Sequence, residues 1–142
     1  MRKKIAILML VLLAVFGLAS VANAAIYASD YINDCRTKIY TYSGGKLGIN
    51  YLIHGADKMN QLGAKTIILQ EKASGSSSWE AIETFSYTDD SGMLRNNALS
   101  HDYTVYYYDA VPGYSYRAKV YFYAEKGGYD TRELISPTVT AK

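Results

Sequence analysis

Residues able to do covalent or acid–base chemistry are few in this 142-residue chain, and they are scattered. The one cysteine, Cys35, would need His54 or His101 as a partner. A nucleophilic thiol requires a neighbouring base or positive charge to lower its pKa, and Asp34 beside Cys35 acts the other way. His101 and Asp102 are adjacent, but neighbours along a strand point to opposite faces, which leaves no triad with a serine. Two histidines and one cysteine this far apart match no zinc spacing. Asp89-Asp90-Ser91-Gly92 offers oxygens to calcium but lacks the alternating acidic positions of a calcium loop; it reads as a polar turn capped by glycine. Glu80 and Glu83, three apart, are expected on opposite sides of a strand and make a poor glycosidase pair. The pattern predicts no enzyme, no cofactor and no metal.

What remains is surface. The chain has 15 tyrosines against 2 prolines, and tyrosine suits a pleated, half-buried sheet where its ring packs and its hydroxyl stays wet. Tyr106, Tyr107 and Tyr108 are consecutive, so at least one faces outward whichever side is core. Further on, Tyr116, Ala118, Val120 and Phe122 alternate with Arg117, Lys119, Tyr121 and Tyr123. The second set is expected on the solvent face. Rigid rings give contact area at small entropic cost, and arginine forks to polar partners. Tyr121, Tyr123, Arg117, Lys119, Tyr106 and Tyr108 are therefore the candidate binding residues, with Tyr121 and Tyr123 first among them. The same rings could stack on sugar faces.

The elements that must position these residues read as strands. Beyond the first 24 residues no helical period appears, and short β-runs are cut by Gly, Ser, Asn and Asp clusters. Seven are expected: Arg36–Ser43, Lys46–His54, Lys65–Lys72, Trp79–Tyr87, Asp102–Asp109, Tyr114–Glu125 and Glu133–Thr140. Gly44-Gly45 and Gly127-Gly128 mark turns, and Asp57-Lys58-Met59-Asn60 forms at most one short turn.

The N-terminus reads as an export signal. Arg2, Lys3 and Lys4 precede an uncharged apolar stretch from Ile5 to Leu18, and Ala22-Asn23-Ala24 fits the small-x-small rule for cleavage after Ala24. The run is shorter than the roughly 20 apolar residues of a membrane span. Residues 1–24 are thus expected to be a signal peptide, 25–35 an N-terminal segment and 36–142 one secreted domain, with no membrane contact after cleavage. The mature part keeps 12 of the 15 Lys and Arg and all 13 Asp and Glu, a net charge of −1. That gives no electrostatic case for nucleic acid, which needs concentrated positive charge. Cys35 reads as a buried small hydrophobe, the alternative being a free thiol able to form a disulfide dimer. No sorting signal is seen at the C-terminal Thr140-Ala141-Lys142.

Val111-Pro112-Gly113-Tyr114-Ser115-Tyr116-Arg117 resembles the E–F corner of a fibronectin type III or related immunoglobulin-like domain. There a Pro-Gly turn precedes a tyrosine whose hydroxyl closes the corner against the backbone. Ile67–Trp79 resembles the C-to-C′ hairpin of that family, and Ser136-Pro137-Thr138-Val139-Thr140 its last strand. Two departures stand out: no tryptophan lies in the second strand, and Asn96–Asp102 replaces an ordinary short connection. The chain also resembles small secreted proteins of Gram-positive bacteria of unassigned function, through Leu69, Gln70, Trp79, Gly113, Tyr114, Tyr116 and Arg117. The resemblance implies an all-β, immunoglobulin-like sandwich of about seven strands in which Tyr116, Trp79, Pro112 and Gly113 are structural. Together these readings predict a secreted, non-catalytic module contacting a protein or cell-surface partner. A carbohydrate- or cell-wall-binding module is the alternative. A secreted toxin or bacteriocin-like polypeptide is a third, although the amphipathic cationic segment such action uses is missing.

Overall fold

The computed structural model describes residues 29–142. The expected signal peptide and the start of the 25–35 segment lie outside the described residues. Seven strands form an antiparallel sheet: β1 (Ile32–Thr41), β2 (Leu47–Lys72), β3 (Glu80–Ser86), β4 (Leu94–Tyr107), β5 (Ser115–Glu125), β6 (Tyr129–Ile135) and β7 (Val139–Thr140). A single 3-10 turn, Ser91–Met93, is the one helical element among the described residues. No helix among them is long and apolar enough to cross a membrane.

β2 organises the sheet. Its first half, Leu47–His54, pairs with β1 on one side and with the later part of β4 on the other. Its second half, Gln61–Lys72, pairs with β5, while its opposite edge takes the start of β4 and then β3. The cause is visible in the sequence. Leu47, Ile49, Tyr51 and Ile53 alternate with Gly48, Asn50 and Leu52, and the first set is wholly buried. Fully burying such side chains contributes about 1.5–3 kcal/mol each. The second half repeats the pattern with Leu62, Ala64, Ile67 and Leu69. A register shift between Ala64 and Thr66 inserts Lys65 without turning the later apolar residues away from the core. Tyr51 from the first half meets Phe122 of β5 edge-on, with centroids 5.7 Å apart and planes at 83°. β1 also lies against β5 and β6. The two halves of the sheet therefore share one core.

Several expected boundaries are corrected. The second and third expected strands are one strand. Asp57–Asn60 is no turn between them but an irregularity, since His54 pairs with Ser100 and Met59 with Ala98. β4 starts at Leu94 and absorbs Asn96–Asp102, which had read as a connection. The expected last strand, Glu133–Thr140, divides into the end of β6 and β7. Pro137 lies at the break, where its missing N–H ends the ladder.

Candidate binding site

The acid–base candidates are set apart by the sheet. Cys35 pairs with Ile53, and Ile53 pairs in turn with His101, so an isoleucine stands between thiol and imidazole. His54 occupies the opposite face, across from Asp34 and Ser100. Cys35 Sγ meets Arg132 Nη1 at 3.8 Å. Burial nevertheless dominates and pushes its thiol pKa up, against the Arg132 guanidinium. His101 is buried and its Nε2–H donates to Gly92 O at 2.8 Å, while Asp102 is exposed. Asp90 is engaged as a cap: its carboxylate accepts Gly92 N–H and the Tyr103 hydroxyl, each at 3.0 Å. Among the described residues no group of three His, Cys, Asp or Glu could hold a metal ion. Glu80 and Glu83 depart from expectation. A register shift places them opposite Glu71 and Leu69, alternate residues of β2, so they do not fall on opposite faces as three-residue spacing implies.

The outward face of the second half carries most of the candidate residues, and the structure ties them together. Arg117 Nε donates to Gln70 Oε1 at 2.7 Å, and its guanidinium stacks 4.3 Å from the Trp79 ring centroid. Lys119 lies 3.7 Å from Glu133. Tyr121 is half-buried beside a shallow concavity of about 400 Å³ lined also by Lys65, Thr66, Ile68 and Thr131. Tyr123, expected to be exposed, is only 9% exposed. Lys65 Nζ sits 3.6 Å from its ring centroid and Tyr129 stacks on it at 5.8 Å. The Lys65 bulge brings that ammonium to the outer face, and the covered ring follows from it. Three of the four candidates on β5 are thus spent on their own sheet.

The corner residues are tied to the sheet by hydrogen bonds. Tyr116 is wholly buried; its hydroxyl accepts Val111 N–H at 2.7 Å and donates to Glu71 Oε2 at 2.5 Å. Burial and the Glu71 carboxylate both push this phenol above its ordinary pKa. Gly113, at φ +84°, makes the turn that Pro112 enters.

The outward face of the first half is more open. Tyr40, Gly48 and Tyr106 form one row across β1, β2 and β4. Gly48 has no side chain, and a Cβ there would stand 3.2 Å from Tyr42 and 3.3 Å from Tyr106. Its absence lets the two rings close over the strand. Lys46 Nζ lies between rings, 4.2 Å from the Tyr106 centroid, 5.3 Å from Tyr42 and 5.6 Å from Tyr108. The rings stay accessible: Tyr40 is 47% exposed, Tyr42 43%, Tyr106 43% and Tyr108 62%. The turn that carries Tyr42 and Lys46 is held by Gly45. It adopts φ +75°, and a Cβ would meet Ala110 O at 2.7 Å; its carbonyl accepts Ala110 N–H at 2.9 Å. The next row is polar: Lys38, Asn50 and Thr104. Beside it lies a depression of about 140 Å³ bordered by Arg36, Lys38, Tyr40, Asn50 and Asp102.

Compared with known protein families and with curated proteins, the sequence matches none. Among solved structures the chain is similar to Spo0M, a sporulation control protein from Bacillus subtilis, at 10% identity and a TM-score of 0.40. The likeness covers 72% of this chain and 48% of that one, so the chain spans about half its length.

Of the candidate residues, Tyr106 and Tyr108 are brought together, with centroids 6.4 Å apart. Their partners Tyr40, Tyr42, Lys46 and Gly48 were missed. Their signal was present: Tyr40 continues the outward series Arg36, Lys38, Tyr40, and Gly48 occupies an outward strand position where a side chain is expected. A glycine inside a strand marks close approach of something else, here the rings of its neighbours.

Proposed function

We propose that this protein is a secreted, non-catalytic binding module that contacts a cell-surface partner through the outward face of β1, the first half of β2 and the later half of β4. One observation carries the reading: four exposed tyrosines gathered around Gly48, with Lys46 set between three of them. An exposed aromatic group of this size supports a recognition role, since rings give contact area at little entropic cost. Export is supported by the basic, apolar and Ala-x-Ala pattern of residues 1–24. Within this reading the fold is an immunoglobulin-like sandwich from a Gram-positive bacterium. The Tyr116–Val111 corner and the β2–β3 hairpin support the fold type.

The test is retention of the purified protein on intact Gram-positive cells and on their wall fraction. Tyr106→Ala/Tyr108→Ala is expected to lose retention while keeping the thermal midpoint, because surface substitutions cost little, about 0.5 kcal/mol or less. Undiminished retention of this variant would remove the face from the mechanism. Tyr121→Ala serves as the comparison on the second outward face and is expected to bind as the parent does.

A further inference from the structure

We infer that the ligand of the tyrosine face is an acidic polysaccharide whose sugar units carry carboxylates, a uronic-acid polymer. The inference rests on the proposed binding face and names its substrate class. The rings supply half of the recognition. Tyr106 and Tyr108 are adjacent, accessible and tilted by 36°, a platform on which the apolar face of a pyranose ring can lie. The other half is charge. Among the described residues, neither Lys38 nor Lys46 is within ion-pair distance of a carboxylate, whereas Arg36 is held by Asp34 at 2.9 Å. Lys46 holds its ammonium over the Tyr106 ring, 4.2 Å from the centroid, which leaves Tyr108 as the more open ring and places the charge one ring away from a sugar stacked there. Lys38 borders the depression next to Tyr40, and the Asp102 carboxylate on the same rim is engaged by Asn50 Nδ2.

Asn50 completes the arrangement. Its Nδ2 is occupied by Asp102 Oδ1 at 2.6 Å and by Tyr103 O and Thr104 Oγ1 at 3.1 Å each. The amide is thereby oriented, leaving Oδ1 as an acceptor for a sugar hydroxyl. A uronic acid offers an apolar pyranose face, a carboxylate and hydroxyls in a single unit, matching all three features. A protein partner fits less well. Protein interfaces are rich in tyrosine and arginine but depleted in lysine, and the row beside these rings is Lys38, Asn50 and Thr104. A phosphate polymer without rings would leave the platform unused, and phosphate favours the arginine fork, which Asp34 occupies here.

The experiment measures retention of the full secreted protein on polygalacturonate, alginate and hyaluronate at low salt, beside methyl-esterified polygalacturonate. The ester keeps the ring and caps the charge. Binding to at least one acidic polymer is expected, falling about tenfold or more on esterification and weakening as salt shortens the screening length. Lys38→Gln/Lys46→Met is expected to flatten the salt dependence, and Tyr106→Ala/Tyr108→Ala to abolish binding. Equal affinity for the ester overturns the acidic class. Binding to none of the three overturns the inference too. If the tyrosine variant then still loses retention on cells, the binding face stands and its partner is not a uronic-acid polymer.

Discussion

His101 shows how a residue with catalytic potential becomes a structural one with a pH signature. Its ring stacks on Tyr103, with centroids 5.6 Å apart, and takes Tyr51 edge-on at 5.8 Å. Nε2–H donates to Gly92 O, and the buried Nδ1 has no partner among the described residues. Burial therefore lowers its pKa from the ordinary 6.5. Arg95 adds to the lowering, and Gly92 O and Asp102 oppose it. A histidine with a lowered folded-state pKa is taken up by protons first in the unfolded chain. Its contribution to stability is whole above about pH 6.5, falls as pH drops through the interval between the two pKa values, and levels off below the folded one. Urea unfolding between pH 7.5 and pH 5 is expected to show this decline. His101→Gln, which keeps an N–H for Gly92 without a titrating ring, should flatten it. An unchanged slope in that variant would assign the decline to other groups. The sequence showed the histidine and its acidic neighbour, and period two separated them correctly. It could not show the ring enclosed between two tyrosines, because that depends on strands paired across β2.

At the scale of elements, the 26-residue β2 was the least legible feature. Gly55, Asp57 and Asn60 are turn formers, and reading one short turn over Asp57–Asn60 is sound locally. The chain instead continues past an irregularity, and the Lys126 ammonium at the β5–β6 turn pairs with the Asp57 carboxylate. That contact lowers the Asp57 pKa from its ordinary value. Tertiary packing overrides the local signal because Met59 and Leu62 are buried beyond it. β5, by contrast, was legible along most of its length, since its alternation of buried and outward residues is unbroken from Tyr116 to Phe122 and fails only at the buried Tyr123. The sharpest constraint on β2 is Gly63, where a Cβ would stand 2.1 Å from Met93 O. β2 passes directly against the 3-10 turn there, and neither backbone can yield cheaply. Gly63→Ala is expected to destabilise by about 1–3 kcal/mol, the range for overpacking a core. Gly75, at φ +79° with nothing within 4 Å of a Cβ, gives the contrast. Gly75→Ala should cost about 1 kcal/mol, from backbone conformation alone. Chemical denaturation of the pair checks this, and equal losses would mean that the close approach at Gly63 is relieved by movement of the turn.

For the whole molecule, the all-β class was legible because period two, glycine-rich breaks and abundant tyrosine agree with one another. Which of the two outward faces stays open was not. That depends on the Lys65 bulge covering Tyr123 and on Gly48 leaving room for Tyr42 and Tyr106, and both are consequences of pairing between distant segments. The same pairing decides the state of Cys35. It lies on β1, an edge strand, yet it is only 8% exposed, because β1 turns its side chain inward beside Ile53 and Arg132. Burial also raises its thiol pKa, and the thiolate is the reactive form. Both effects oppose a disulfide between two folded molecules. The native protein is expected to run as a monomer on a non-reducing gel after air oxidation, and to react with an aromatic disulfide reagent far more slowly than it does in urea. A native reaction as fast as the denatured one would show that β1 opens freely at the sheet edge. In that case a covalent dimer through Cys35 becomes accessible, and it should disappear in Cys35→Ser.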